Sequence, residues 1–370
     1  MRALVLAFIA LVGSVSSVRG DGSLQIRGEG GLEYDSNAGR AEQVSQETPV
    51  PTVGSAAGRF VGSASSNLNL GERWSLALSG GGALKGFTES AAQPENIALV
   101  QASPGAFVRL LPGTVLASNL SYYDAFQKGG LDTRDFRSVS PGMQLQQRIG
   151  GGALGMGGGY RWFTFKSTSD FNFAGPLAFL TYRKAFLADL DVEPDAADWE
   201  LSASLSHEQR NFKGERCRQD ACVANSRHVD DFTVVSAELI RTGEHLFGLG
   251  TALQINGSNS FGNGLVRLAA HANAGLSLPW ELTLTLRAEL LFTRYSDPVP
   301  LARDPVTAQP RASIEEESRN TIRAELTRSL DEHFEGIVRY VFYTNELAGG
   351  PVDYRRHTLL FALAFLFDRD

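Results

Sequence analysis

Between Tyr354 and Phe367 every second residue is large and apolar: Leu359, Phe361, Leu363, Phe365 and Phe367. The residues between them are small or polar, as at Arg356, Thr358, Ala362 and Ala364. A period of two is the period of an extended strand, and it gives this strand one greasy face. About fifteen earlier segments repeat the pattern, each roughly ten residues long and closed by a turn, which is the sequence signature of a closed antiparallel barrel that crosses a membrane.

Bulk properties agree. The chain of 370 residues is 43% hydrophobic, and beyond its N-terminus it has no apolar run of about eighteen residues to serve as a membrane helix. Glycine is abundant at 39 residues and sits mostly inside the alternating segments. Residues 1–20 read as a signal peptide: Arg2 is the positive end, Ala3–Val12 the apolar core, and small residues follow at Ser14, Ser16, Ser17 and Gly20. Residues 21–370 are then the barrel. Removing a leader with Arg2 and Arg19 takes the net charge of −7 two units further negative, which argues against nucleic acid as a partner. Cys217 and Cys222 are the only cysteines. In an exported chain they are expected to form a disulfide, and no metal site or cofactor is expected.

The strands sort their residues by face. Leu24, Ile26, Leu32 and Tyr34 oppose Gln25, Arg27, Glu29, Glu33 and Asp35. Leu282, Leu284, Leu286, Leu290 and Phe292 oppose Thr283, Thr285, Arg287 and Glu289. Charges within strands fall almost entirely on the polar face, as the cost of a charge in lipid requires. Short connections (Gly71–Arg73, Leu111–Gly113, Ile149–Gly152, Thr242–Glu244, Leu278–Trp280, Leu330–Glu332) alternate with long ones (Ala38–Ala57, Phe87–Glu95, Gln127–Arg134, Lys213–His228, Ser296–Ser318). Periplasmic turns and extracellular loops differ in this way. Ala188–Asp198 is a long connection where a short one is expected. The count is about sixteen strands, within a range of fourteen to eighteen, and an even number puts both termini on the periplasmic side. Trp74, Trp199 and Trp280 fall beside short turns, with Tyr160 and Trp162 near the other end, as interfacial girdles would.

On this reading the polar face lines a lumen. Its candidate residues are Arg27, Glu29, Glu33, Asp35, Arg109, Arg148, Arg161, Arg267, Arg287, Glu289, Arg323, Glu325 and Arg339, with Phe107, Tyr123 and Tyr343 as inward aromatics. Phe163 joins those aromatics in a scattered track suited to sugar chains. Both signs of charge nearly balance, so a lattice of ion pairs stiffening the wall is favoured over a ring of one sign. Nothing points to an enzyme: Ser206 and His207 are sequence neighbours, and adjacent strand residues point to opposite faces. Gly80–Gly82 and Gly157–Gly159 open no helix and read as close packing or bending rather than phosphate loops.

The segment Gly30-Gly31-Leu32-Glu33-Tyr34-Asp35-Ser36-Asn37 resembles the first strand of bacterial outer-membrane barrels associated with exopolysaccharide export, though the N-terminal helical-repeat domain of better-known members is lacking. That resemblance implies a passive conduit in the outer membrane with periplasmic export components as partners. Leu359–Phe367 resembles the signal read by the outer-membrane insertion machinery. The expectation is therefore an outer-membrane channel in contact with outer-membrane lipid. Exopolysaccharide is one cargo. A general porin for small hydrophilic solutes and a closed structural or adhesive barrel are the alternatives.

Overall fold

The computed structural model describes residues 22–41, 43–44, 51–127, 135–166, 169–187, 198–218, 221–297, 319–345 and 352–369. In chain order the strands are β1 (Gly22–Asp35), β2 (Gln43–Val44), β3 (Ser55–Asn69), β4 (Trp74–Phe87), β5 (Ile97–Leu111) and β6 (Thr114–Gln127). They continue as β7 (Phe136–Ile149), β8 (Gly152–Phe165), β9 (Phe173–Leu187), β10 (Asp198–Cys217), β11 (Cys222–Thr242) and β12 (Leu246–Ser258). The last six are β13 (Leu265–Leu278), β14 (Leu282–Tyr295), β15 (Asn320–Ser329), β16 (Phe334–Thr344), β17 (Val352–Asp353) and β18 (Arg355–Arg369). All but β2 and β17 join one closed sheet of sixteen strands. Each pairs antiparallel with its neighbours, and β1 closes the circle by pairing with β18 from Leu24↔Arg369 to Asp35↔Thr358. Closure leaves no open edge, which a sheet surrounded by lipid requires.

Face assignment follows from register, because directly paired residues share a face. Leu32 pairs with Phe361 and Phe60 with Leu84, so the even positions of β1, β3 and β4 continue the apolar face of β18. That face is the exposed one: Leu32 is 71% accessible and Leu249 65%. The opposite face carries the buried ions described below. Asp124 and Arg137 depart from the expected sorting. They pair with each other on the outer face near the long-loop end, where Arg137 Nη2 lies 2.8 Å from Asp124 and the Tyr122 hydroxyl donates to it at 2.9 Å.

Short turns and long loops segregate to opposite ends. Gly150 and Gly151, both at positive φ (56° and 78°), form a two-residue turn between Ile149 and Gly152, the backbone twist a tight hairpin needs. At the other end β2 and β17 pair through Val352↔Val44 and knit two loops together beside the β1–β18 closure. Arg40 reaches Glu95 at 3.3 Å, and Gln127 donates to the same carboxylate at 3.2 Å, tying a third connection to them.

The expected long loop at Lys213–His228 is not a loop. The β10–β11 ladder runs on through Glu215↔Arg227 to Cys217↔Cys222, where the disulfide closes the tip. The flanking ladders stop earlier, at Phe212↔Phe173 and Asp230↔Ser258, so the hairpin rises beyond its neighbours. The expected leader, the Ala188–Asp198 connection up to residue 197 and most of Ser296–Ser318 lie outside the described residues.

Candidate functional site

The inner wall divides into regions of different character. Around the β1–β18 closure, ion pairs form an unbroken run over six strands. It begins with Arg323 Nη2 on Glu325 (2.7 Å), which Arg339 also contacts. Arg339 passes over β18 to Glu29 (2.9 Å), and Arg59 bridges Glu29 and Glu33 (3.4 Å each). Lys85 then contacts Glu33 and, at 3.4 Å, Asp35, whose carboxylate accepts from Arg356 at 2.5 Å. Asp35 and Arg356 are 0% and 1% accessible. So deep a burial is tolerated because each charge is met by an opposite one. Tyr343 lies under this run, 5.0 Å from the Arg356 guanidinium, and is itself buried.

Across the lumen, near the long-loop end, inward rings stack from strand to strand. Phe136 meets Phe163 at 4.9 Å and 19°, and Phe163 meets Phe173 at 5.0 Å and 3°. Phe173 meets Phe212 at 5.2 Å, and Phe212 lies flat on His228 at 4.1 Å and 8°. Arg210 sits among them, with its guanidinium 4.0 Å from the Phe232 ring and Nε donating to Glu208 at 3.0 Å. Arg161 shares that carboxylate at 3.1 Å. Phe163 is covered on both faces and offers none to a solute.

The sequence candidates therefore fall into separate groups. Glu29, Glu33, Asp35, Arg323, Glu325 and Arg339 meet in the ionic run. Arg27 pairs with Glu335 (3.6 Å) and Arg287 with Glu289 (3.6 Å) in more open positions. Arg161 joins Glu208, and Arg267 is buried with Nε donating to Thr293 at 2.6 Å. Arg109 and Arg148 are exposed close to the short turns. Phe107 and Tyr123 are half-buried on the inner face of β5 and β6, and neither joins Phe163 or Tyr343. The sequence reading did not name Arg59, Lys85, Arg183 or Phe179, which share this inner face. Arg183 forms a two-bond pair with Glu200, at 2.6 Å for each.

His228 contacts both Asp230 (2.7 Å) and Ser258 (3.2 Å), a grouping of residue types that hydrolases use. Both partners sit on the same ring nitrogen, Nε2, whereas a relay needs the carboxylate and the nucleophile on opposite nitrogens. The group packs the base of the hairpin. His271 likewise lies over Gly250 and contacts Glu238 at 3.1 Å, in a glycine-and-ring packing arrangement.

No known family matches the sequence, and no curated protein matches it. In fold the chain is similar to OmpF of Salmonella typhi, solved in complex with daunomycin. The TM-score is 0.53 at 9% identity, over 93% of this chain and 97% of that one. It also aligns with the outer membrane protein OpdK of Pseudomonas aeruginosa (TM-score 0.47, 11% identity, 94% and 99% covered). A bacterial polysaccharide outer membrane secretin aligns at TM-score 0.43 and 9% identity, with 95% and 100% covered. At these identities the likeness is one of fold. The closed sixteen-stranded sheet, apolar outside and polar inside, defines the class: a bacterial outer-membrane β-barrel.

Proposed function

We propose that the chain is a channel for passive transport of hydrophilic solutes across the outer membrane, with exopolysaccharide as the narrower cargo. The observation that carries the reading is the inner wall, polar on strand after strand inside a barrel whose outside is apolar. The reading assigns no chemistry to the protein, since transport down a gradient needs a lined path and no reacting group. It includes a cleaved leader at residues 1–20, recognition of Leu359–Phe367 by the insertion machinery, and periplasmic export components as partners if the cargo is a polymer. Single-channel recording of the refolded protein in a planar bilayer tests it. Steady conductance is expected. A silent, correctly folded barrel would refute the channel and leave a closed structural barrel, the second reading, which the buried ionic run and stacked rings favour.

A further inference from the structure

The inner wall of β5–β9 below the stacked rings has a character of its own. Phe107, Ala117, Gln144, Gly157 and Phe179 stand side by side in register across five strands. The next row toward the long loops is Gly105, Asn119, Gly142 and Gly159, ending at Leu177 on β9. Ser121 and Ser140 pair in the row beyond, and Tyr123 pairs with Gln101 and Ser138 in the one after that. Between the Phe107–Phe179 row and Tyr123 the wall thus carries only glycine, serine and asparagine in these paired positions of β6 and β7. The result is a shallow basin with aromatic rims. Its lower rings are four strand spacings apart, roughly 19 Å.

The floor is rich in groups that accept or donate hydrogen bonds. A side chain on Gly157 would overlap the carbonyl oxygen of Met143, and one on Gly159 that of Pro141. These oxygens therefore occupy the lumen side, where side chains would otherwise project. The β7–β8 ladder skips from Val139↔Trp162 to Gly142↔Gly159, so the sheet loosens at Pro141. Asn119 is exposed, and Gln144 spends one amide donor on Thr181 at 3.0 Å. Phe107, Tyr123 and Phe179 are all half-buried, and the Phe179 ring reaches across to Gly157, whose missing side chain leaves room for it. On β6 and β7 these rows carry no charged side chain; Arg109 lies one row below, paired with Val115, and on β8 Arg161, level with Ser140, stands at the edge of the basin with its guanidinium on Glu208 at 3.1 Å.

We infer that this basin binds a neutral carbohydrate chain. A sugar ring presents an apolar face to an aromatic ring and hydroxyls around its edge, and the basin offers rings at its rims with amides, hydroxyls and carbonyl oxygens between them. The floor on β6 and β7 is uncharged and Arg161 at its edge is met by Glu208, so the basin does not select anions or cations, and an extended floor suits a chain better than one small molecule. The inference rests on the channel reading, which supplies the route to the basin.

The test is planar-bilayer recording with neutral maltodextrins of graded length, against polyethylene glycols of matched size. Wild type is compared with a Phe107→Ala, Phe179→Ala variant and with Gln144→Ala, all verified as folded by heat-modifiable gel mobility. Saturable block by maltodextrin is expected, weakened at least tenfold in the double variant with salt conductance kept. Equal block by both polymers, or block unchanged in the double variant, would overturn the inference and leave the channel standing. If the barrel does not conduct, the channel reading fails by itself. Calorimetric titration of maltodextrin into the detergent-solubilised protein then decides the basin: heat lost in the double variant supports it, and no heat with wild type overturns it.

Discussion

Replacing Phe163 separates a ring that holds the wall from a ring that serves a solute. Phe163 is 5% accessible and touches three other rings, with centroids 4.9 Å from Phe136, 4.9 Å from Phe165 and 5.0 Å from Phe173. Truncation of a buried phenylalanine to alanine costs about 3–5 kcal/mol. Aromatic pairs carry about 0.5–1.5 kcal/mol beyond area, so Phe163→Leu, which retains most of the bulk but no ring, is expected to cost about 1.5–3 kcal/mol. The assay is urea unfolding in lipid vesicles, followed by tryptophan fluorescence with linear extrapolation to water. Conductance and any maltodextrin block are expected to stay at wild-type values in the leucine variant, because neither face of the ring reaches the lumen. The reasoning fails if both variants unfold within about 0.5 kcal/mol of wild type, the range of an ordinary surface substitution. It also fails if Phe163→Leu abolishes sugar block without changing stability.

Asp35→Asn leaves the buried Arg356 and Lys85 short of a counter-charge and is expected to cost about 3–5 kcal/mol in the same unfolding assay. Arg27→Gln removes a pair whose arginine side chain is 48% accessible, and stability should move by less than about 1 kcal/mol. Gly159→Val forces a branched side chain onto the Pro141 carbonyl and should destabilise by about 1–3 kcal/mol, read as a lower urea midpoint. Replacing Cys217 and Cys222 by serine opens a short covalent loop and is expected to cost about 2 kcal/mol at most. Hydrogen exchange should then quicken at the hairpin tip and leave β13–β16 unchanged.

Face and strand number were legible because a period of two survives any detail of packing. Partnership was not, since Arg339 and Glu29 stand 310 positions apart and meet only when the barrel closes over β18. Phe163 and Phe107 carry the same inward signal, yet one is stacked and the other half-open. Their difference depends on height in the wall and on which neighbours are glycine. Phe179 carries no inward signal in sequence because β9 is apolar on both faces there, with Leu177 and Phe179 inside and Leu180 and Tyr182 outside, so alternation marks no polar side. The upper β10–β11 hairpin reads as a loop in sequence because Lys213–Cys217 is charged and holds Gly214, a composition shared by turns and by strands that have left the lipid.

The closure seam has a consequence for assembly. β1 contributes only carboxylates to the ionic run, and every cation comes from strands on either side of it: Arg59 and Lys85 on one, Arg323, Arg339 and Arg356 on the other. The first and last strands of a long chain must find one alignment among many. Sliding by one residue would turn the carboxylates outward into lipid. Sliding by two keeps the face but carries each carboxylate about 7 Å along the strand, away from its cation. The charges thus proofread the final pairing step and penalise misaligned closures that the greasy face alone would accept.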